Sequence, residues 1–192
     1  MKVLGIVASP RKSGNTDILV RKVLMGAKER GAETDLVYLN ELNIKFCQGC
    51  GECAETGVCV QEDDMQALYK KLDEAERLVF GTPVYMNNLS GQMKVFADRC
   101  GALMEVIEQP QGSPKVKSRL GLGKKAILVT ACGCPLADGA KATMDHLKEL
   151  CSWLSIETVG EIIGCGLSNV GDAEKKRELL DEAFSLGCRL AE

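Results

Sequence analysis

Ser9-Pro10-Arg11-Lys12-Ser13-Gly14-Asn15-Thr16 is the stretch on which the reading of this chain turns. Before it stands Lys2-Val3-Leu4-Gly5-Ile6-Val7-Ala8, a short and nearly continuous apolar run. After it, Leu19, Val20, Val23, Leu24 and Ala27 recur at helical spacing. An apolar run, a hydroxyl-rich turn and a helix predict a buried parallel strand feeding an anion-binding loop at a helix N-terminus. A helix start carries unpaired backbone N–H groups and partial positive charge. Ser9, Ser13 and Thr16 add hydroxyls, Asn15 an amide, and Arg11 a planar fork that suits phosphate oxygens. Neither G-x-x-x-x-G-K-[ST] nor G-x-G-x-x-G is present. One glycine among hydroxyls suits the terminal phosphate of a mononucleotide better than a pyrophosphate.

Outward from this turn, strand and helix alternate. The patterns predict a helix over Thr16–Arg30 closed by Gly31, and an edge strand over Glu33–Leu39. Asp63 and Asp64 open a helix carrying Met65, Leu68, Tyr69 and Leu72, and a strand follows over Arg77–Gly81. Ser90 caps a helix that runs to about Ile107, and Gln109–Pro114 is a loop. A strand over Ala126–Thr130, a helix from Asp138 to Leu154 and a strand over Glu157–Ile163 come next. Asp172 then caps a final helix. The alternation implies an α/β fold, with a five-stranded parallel sheet of order 2-1-3-4-5 covered on both faces. In that order the ligand lies beyond the strand C-termini, where the first and third strands diverge. The expectation is one domain over residues 1–192, interrupted by a cysteine-rich loop at 46–60.

A net charge of −3 gives no basic footprint for nucleic acid or membrane surfaces. No apolar run reaches spanning length, and Met1-Lys2 leads directly into the first strand, so neither a membrane segment nor a secretory leader is expected. Ten cysteines without such a leader point to a reducing, cytoplasmic setting. The single histidine, His146, reads as a surface residue. Lys115, Lys117, Arg119, Lys124 and Lys125 form a basic stretch that reads first as a solvated loop; an acidic electron-transfer partner or the 2′-phosphate of NADPH is the alternative.

Two further loops should reach the same rim. Thr82-Pro83-Val84-Tyr85-Met86-Asn87-Asn88 combines a stiff turn, flat or soft apolar surface and in-plane amides, which suits a planar heteroaromatic ring. Thr130-Ala131-Cys132-Gly133-Cys134 is small enough for backbone donors to approach a ring edge. Its cysteines, Cys132 and Cys134, read first as packing thiols; a disulfide or metal pair is the alternative. Cys47, Cys50, Cys53 and Cys59 form C-x2-C-x2-C-x5-C, with Gly49, Gly51 and Gly57 for the turns. Overlapping C-x2-C lets one loop direct thiolates at several irons, which favours a [4Fe–4S] cluster. Zinc, and free or disulfide-forming thiols, remain as alternatives. The x5 spacing and Val60 depart from the ferredoxin pattern, so ferredoxin identity does not follow.

Ala8-Ser9-Pro10-Arg11, Gly14-Asn15-Thr16, Gly81-Thr82-Pro83-Val84-Tyr85 and Ser90-Gly91-Gln92-Met93-Lys94-Val95-Phe96-Ala97-Asp98-Arg99 together resemble the flavodoxin-like NADPH-dependent FMN reductase superfamily. With the cysteine loop, the resemblance is to its iron-sulfur flavoprotein branch. It extends from Met1 to about Ile163 and weakens in the last helix. It implies a flavodoxin-like three-layer sandwich and an FMN-dependent oxidoreductase. The phosphate would sit on Ser9, Arg11, Ser13, Asn15 and Thr16. The isoalloxazine would lie against Pro83, Val84, Tyr85, Met86 and Asn87 and the Thr130, Cys132 and Gly133 turn. It also implies a homodimer or homotetramer, with ferredoxin or NAD(P)H as candidate donors and no side chain needed as nucleophile. Two other readings stand beside this one: an NAD(P)H-dependent FMN or quinone reductase without a cluster, and a thiol-based redox sensor.

Overall fold

The computed structural model describes residues 1–107 and 115–192, so the predicted loop at Gln109–Pro114 lies outside the described residues. In chain order the elements are β1 (Lys2–Val7), α1 (Asn15–Glu29), β2 (Glu33–Tyr38), α2 (Glu52–Thr56), α3 (Met65–Glu74), β3 (Arg77–Pro83) and α4 (Gly91–Arg99). Then follow β4 (Met104–Ile107), β5 (Lys115–Ser118), β6 (Lys125–Ala131), α5 (Asp138–Trp153), β7 (Glu157–Gly164) and α6 (Arg177–Leu190). The main sheet has the order β2-β1-β3-β6-β7 and every pairing in it is parallel. This is the expected 2-1-3-4-5 arrangement, with a separate antiparallel pair, β4 and β5, inserted ahead of its fourth strand.

The apolar runs form strands because both faces of the sheet are covered. Leu4, Ile6, Leu78, Phe80, Ala126 and Leu128 point to one layer, where they meet Leu68 and Leu72 of α3, Phe96 of α4 and Leu147 of α5. Val3, Val7, Val79, Ile127 and Val129 point to the other, against Leu19, Val20 and Val23 of α1 and Ala183, Leu186 and Leu190 of α6. Each of the larger of these side chains, removed from water, contributes roughly 1.5–3 kcal/mol before the entropy cost of ordering is subtracted. Helices α1 and α6 approach closely through two glycines. A Cβ on Gly187 would lie 1.9 Å from the Val23 carbonyl oxygen, and one on Gly26 would lie 2.1 Å from that of Phe184.

Helix boundaries follow local chemistry. Gly31 takes φ 82° and closes α1. The Ala32 N–H returns to the Ala27 carbonyl at 3.2 Å and the Gly31 N–H to that of Lys28 at 2.9 Å, a Schellman end. Ser90 caps α4 as expected, its Oγ accepting the Met93 N–H at 3.3 Å. Two predicted boundaries move. The helix after Ser90 stops at Arg99, passes through a 3-10 turn at Cys100–Leu103 and becomes strand β4. Met104-Glu105-Val106-Ile107 pairs with Lys115-Val116-Lys117-Ser118, a tertiary partner that helical periodicity does not register. The last helix begins at Arg177, not Asp172. The Asp172 carboxylate is taken up by the Asn169 N–H at 2.7 Å and by Lys175, within a 3-10 turn that precedes α6. His146 is exposed. Among the described residues no helix is long and apolar enough to cross a membrane.

Candidate functional site

The C-terminal ends of β1, β3 and β6 lie on one edge of the sheet, so their loops converge. They enclose a cleft of about 310 Å³. Ser9, Arg11, Gly14, Asn15 and Thr16 line it from the first loop, Pro83, Val84 and Tyr85 from the second, and Ala131, Cys132 and Gly133 from the third. Leu167, Ser168 and Val170, after β7, complete the wall. The loops are pinned to one another. The Ser90 hydroxyl donates to the Ala8 carbonyl at 2.8 Å, and the Thr82 hydroxyl meets Ser90 Oγ at 3.2 Å. The Val84 N–H donates to the Ala131 carbonyl at 3.0 Å.

The first loop has the chemistry of an anion cradle. The backbone N–H groups of Asn15, Thr16 and Asp17 have no acceptor among the described residues, and they sit at the positive end of a 15-residue helix. The Arg11 guanidinium has no ion pair or hydrogen bond among the described residues. Gly14 keeps the cradle narrow, since a Cβ there would lie 2.9 Å from the Arg11 carbonyl oxygen. Ser13 takes φ 58°, and its N–H is held by Asp17 Oδ2 at 2.8 Å. The buried Asp17 carboxylate also accepts from Arg21 and from the Tyr38 hydroxyl, each at 2.9 Å, so it faces away from the cleft.

Four residues expected in the site are outside the cleft lining: Ser13, Met86, Asn87 and Thr130. Thr130 is fully buried, and its Oγ1 has no partner among the described residues. Met86 and Asn87 form the tip of a two-residue turn, both in the left-handed region at φ 49° and 56°. Tyr85 and Asn88 close that turn with hydrogen bonds of 3.0 and 2.9 Å. The Met86 side chain is 98% exposed. Asn15 lines the cleft, but its amide is committed elsewhere. It donates to the Leu167 and Asn169 carbonyls at 3.1 and 2.8 Å and accepts the Ala173 N–H at 3.0 Å. It therefore braces the β7 loop against the cradle, a role the sequence reading did not assign. Leu167, Ser168 and Val170 carry no site motif of their own; Gly166 and Gly171, both at positive φ, bracket this turn and are its local signal.

The cysteine loop leaves the same end of the sheet as an outlying excursion. Its neck is closed by the Asn43 N–H on the Asp64 carboxylate at 2.7 Å and the Lys45 N–H on that of Asp63 at 2.9 Å. Beneath it lies a buried ion pair, Arg99 Nη1 to Asp63 Oδ2 at 2.5 Å, in which both side chains are at most 1% exposed. Arg99 also donates to the Lys45 carbonyl at 2.9 Å. Burial opposes the Asp63 charge, yet hydrogen bonds from Arg99 and from two backbone N–H groups outweigh it and hold this carboxyl below the usual range. Gln66 donates to the Cys59 carbonyl at 2.9 Å, and Arg119 to that of Ala54 at 2.9 Å. Arg119 thus belongs to the loop's support rather than to a free basic surface. Lys124 is buried, with Nζ 2.6 Å from the Asp73 and Ala75 carbonyls, and burial lowers its pKa.

Gly49, Gly51 and Gly57 all take positive φ, which is how the loop makes its turns. Cys47 and Cys50 are exposed, and Cys53 and Cys59 half-buried. Burial pushes the Cys53 thiol up, and the neighbouring Cys59, Cys47 and Cys50 push it further, so all three lie within electrostatic reach of it. Among the described residues no three His, Cys, Asp or Glu side chains converge into a preformed metal group.

Residues 1–166 match the family model for NADPH-dependent FMN reductase. An iron-sulfur flavoprotein of Methanocaldococcus jannaschii is 42% identical over the whole chain and 96% of its own length. One from Archaeoglobus fulgidus is 32% identical over the whole chain and 80% of its own. Among solved structures, an FMN-dependent NADH-azoreductase from Bacillus anthracis in complex with FMN superimposes with a TM-score of 0.72. That match covers all of this chain and 99% of the azoreductase at 16% identity, and it speaks for the fold alone. A hydroxyl-and-arginine cradle at the carboxyl edge of a 2-1-3-4-5 sheet, a four-cysteine excursion beside it and a family match through the fifth strand place this chain in the NADPH-dependent FMN reductase family, among flavin-dependent oxidoreductases.

Proposed function

We propose that the cleft holds FMN and that the chain passes electrons between a reduced donor and an acceptor, with a [4Fe–4S] cluster on Cys47, Cys50, Cys53 and Cys59 as the second centre. The observation that carries this reading is the cradle: the Asn15, Thr16 and Asp17 N–H groups and the Arg11 guanidinium have no partner among the described residues and stand at one end of a cleft walled in part by Pro83, Val84 and Tyr85. A dianionic phosphate satisfies those donors. Ser9 and Thr16 supply further hydroxyls, and Pro83, Val84 and Tyr85 offer one face to a ring. Val84 and Ala131, joined through the backbone, fix the spacing between the second and third loops. Bound flavin supplies two-electron chemistry that can also be released one electron at a time. The residues of this chain bind and orient; none is placed as a nucleophile.

The four-thiol donor set and its glycine turns support the cluster. Relatives carrying the name iron-sulfur flavoprotein add to it. In this reading the chain is one cytoplasmic domain over residues 1–192 with the loop at 46–60 inserted, assembled as a homodimer or homotetramer and fed by ferredoxin or NAD(P)H. The second reading is a reductase that uses NAD(P)H directly, with the cysteines as thiols. The exposure of Cys47 and Cys50 favours it.

Anaerobic purification with iron and sulfide assays and an absorption spectrum separates the two. The cluster reading expects flavin bands on a broad iron-sulfur shoulder. Flavin alone, with rapid NADPH oxidation, selects the reductase. A colourless protein that takes up no FMN would overturn both.

A further inference from the structure

Cys132 in the cleft wall and Cys165 behind it are a pair of thiols that neither electron path uses. Strands β6 and β7 are in parallel register, Thr130 opposite Ile163 and Ala131 opposite Gly164. One bond of the ladder continues past the strand ends, the Cys132 N–H donating to the Gly164 carbonyl at 2.8 Å; the Cys132 carbonyl then accepts the Leu167 N–H at 2.8 Å, one residue later than a regular ladder, so the chain bulges at Cys165 and Gly166. Cys132 is thus bracketed by bonds to Gly164 and Leu167 and faces the bulged Cys165-Gly166 step. Opposed residues on neighbouring parallel strands project to the same face, and the strands lie about 4.7–4.9 Å apart. That spacing falls inside the roughly 4.4–6.8 Å between Cα atoms that a disulfide spans. Burial, then the neighbouring Cys165 side chain, pushes the Cys132 thiol up to about 11. Cys132 is 5% exposed and lines the cleft, whereas Cys165 is half-buried. Cys134, the neighbour that sequence spacing would nominate, instead offers its carbonyl to the Cys132 thiol at 3.5 Å.

We propose that Cys132 and Cys165 form a reversible disulfide across the carboxyl edge of the sheet, in the wall of the cleft. The oxidant is hydrogen peroxide. The more accessible Cys165 thiol attacks one peroxide oxygen; the O–O bond breaks, one water leaves, and Cys165 carries a sulfenic acid. The Cys132 thiol then attacks that sulfur, the S–O bond breaks, and the second water leaves with the Cys132 proton. Two thiols and one hydrogen peroxide give one disulfide and two waters. A dithiol returns the two electrons and restores both cysteines. In a reducing compartment such a bond is transient, as redox-responsive disulfides are.

The test needs no bound flavin, so it stands apart from the FMN reading. The full-length chain is treated with equimolar hydrogen peroxide, alkylated, digested without reduction and mapped by mass spectrometry. The expected result is a Cys132–Cys165 linked peptide that dithiothreitol abolishes. Cys134→Ser should keep this link. Cys165→Ser should lose it while its circular dichroism stays that of the parent chain. Cys132 recovered as an alkylated thiol, or linked to Cys134 or to a cysteine of the 46–60 loop, overturns the proposal.

Discussion

Arg11 shows most directly how a single side chain can be committed to a ligand. Every other arginine at the rim of the fold is tied down: Arg21 to Asp17 and Tyr38, Arg99 to Asp63, Arg119 to backbone carbonyls. Arg11 alone of these stands over the cradle without a partner among the described residues. Hydrogen bonds to charged groups contribute roughly 1.5–3 kcal/mol. Arg11→Ala should therefore weaken FMN binding about 10- to 100-fold in a fluorescence-quenching titration, with the thermal midpoint of the apo chain unchanged. Met86 poses the opposite case. An unbranched side chain held at φ 49° with 98% exposure costs about 1 kcal/mol or more in backbone strain. Met86→Asn tolerates that conformation and should raise the apo midpoint by about 2–4 °C. If it also loosens FMN, the strained tip is retained for ring contact. Asp63 and Arg99 are a matched pair whose halves cannot be separated cheaply. Arg99→Met leaves a buried carboxylate alone and should cost about 3–5 kcal/mol in urea denaturation. Because the folded Asp63 pKa lies below its unfolded value, the pair's stabilisation is present above the unfolded value. It is lost as pH falls through the folded one. The parent chain should thus show an acid-side loss of stability that Asp63→Asn flattens.

At the scale of elements, most of the architecture could be read in advance, and the exceptions share a cause. The parallel strands announce themselves because residues such as Val3-Leu4-Gly5-Ile6-Val7 are buried on both faces, a requirement the local sequence must meet by itself. The cradle was legible for the same reason, since an anion site at a helix start uses contiguous residues. Strand β4 was not, because Met104–Ile107 has no strand signal without Lys115–Ser118 beside it. Asn15 was assigned to the ligand although its amide holds the segment 167–173, more than 150 positions away; nothing near Asn15 in sequence points there. The contact between Gly26 and Gly187 was equally silent. Its energetic weight is testable: Gly187→Ala places a methyl 1.9 Å from a carbonyl oxygen and should cost about 1–3 kcal/mol or more in thermal unfolding.

For the whole molecule, the two candidate centres rest on different supports. The cleft is built from the ends of the sheet, and the cysteine loop from residues 43–66 together with Arg99 and Arg119. Cys50→Ala should accordingly abolish iron and sulfide content while leaving FMN affinity within about twofold, measured by metal assay and flavin titration on one preparation. Loading the cleft should stabilise the entire sheet, by about 2.7 kcal/mol at an FMN concentration 100 times its Kd.

The neck of the cysteine loop has a consequence for how such a chain is assembled from parts. Asn43 and Lys45 on one side and Asp63 and Asp64 on the other close a gate that is complete before the first cysteine and after the last. A segment fastened this way behaves as a cassette. Splicing a short turn in place of 46–62 would shorten the chain without disturbing a strand, and a longer insert could occupy the same socket. Exchanging that segment would leave the pocket at the sheet's end intact, because its lining comes from other loops.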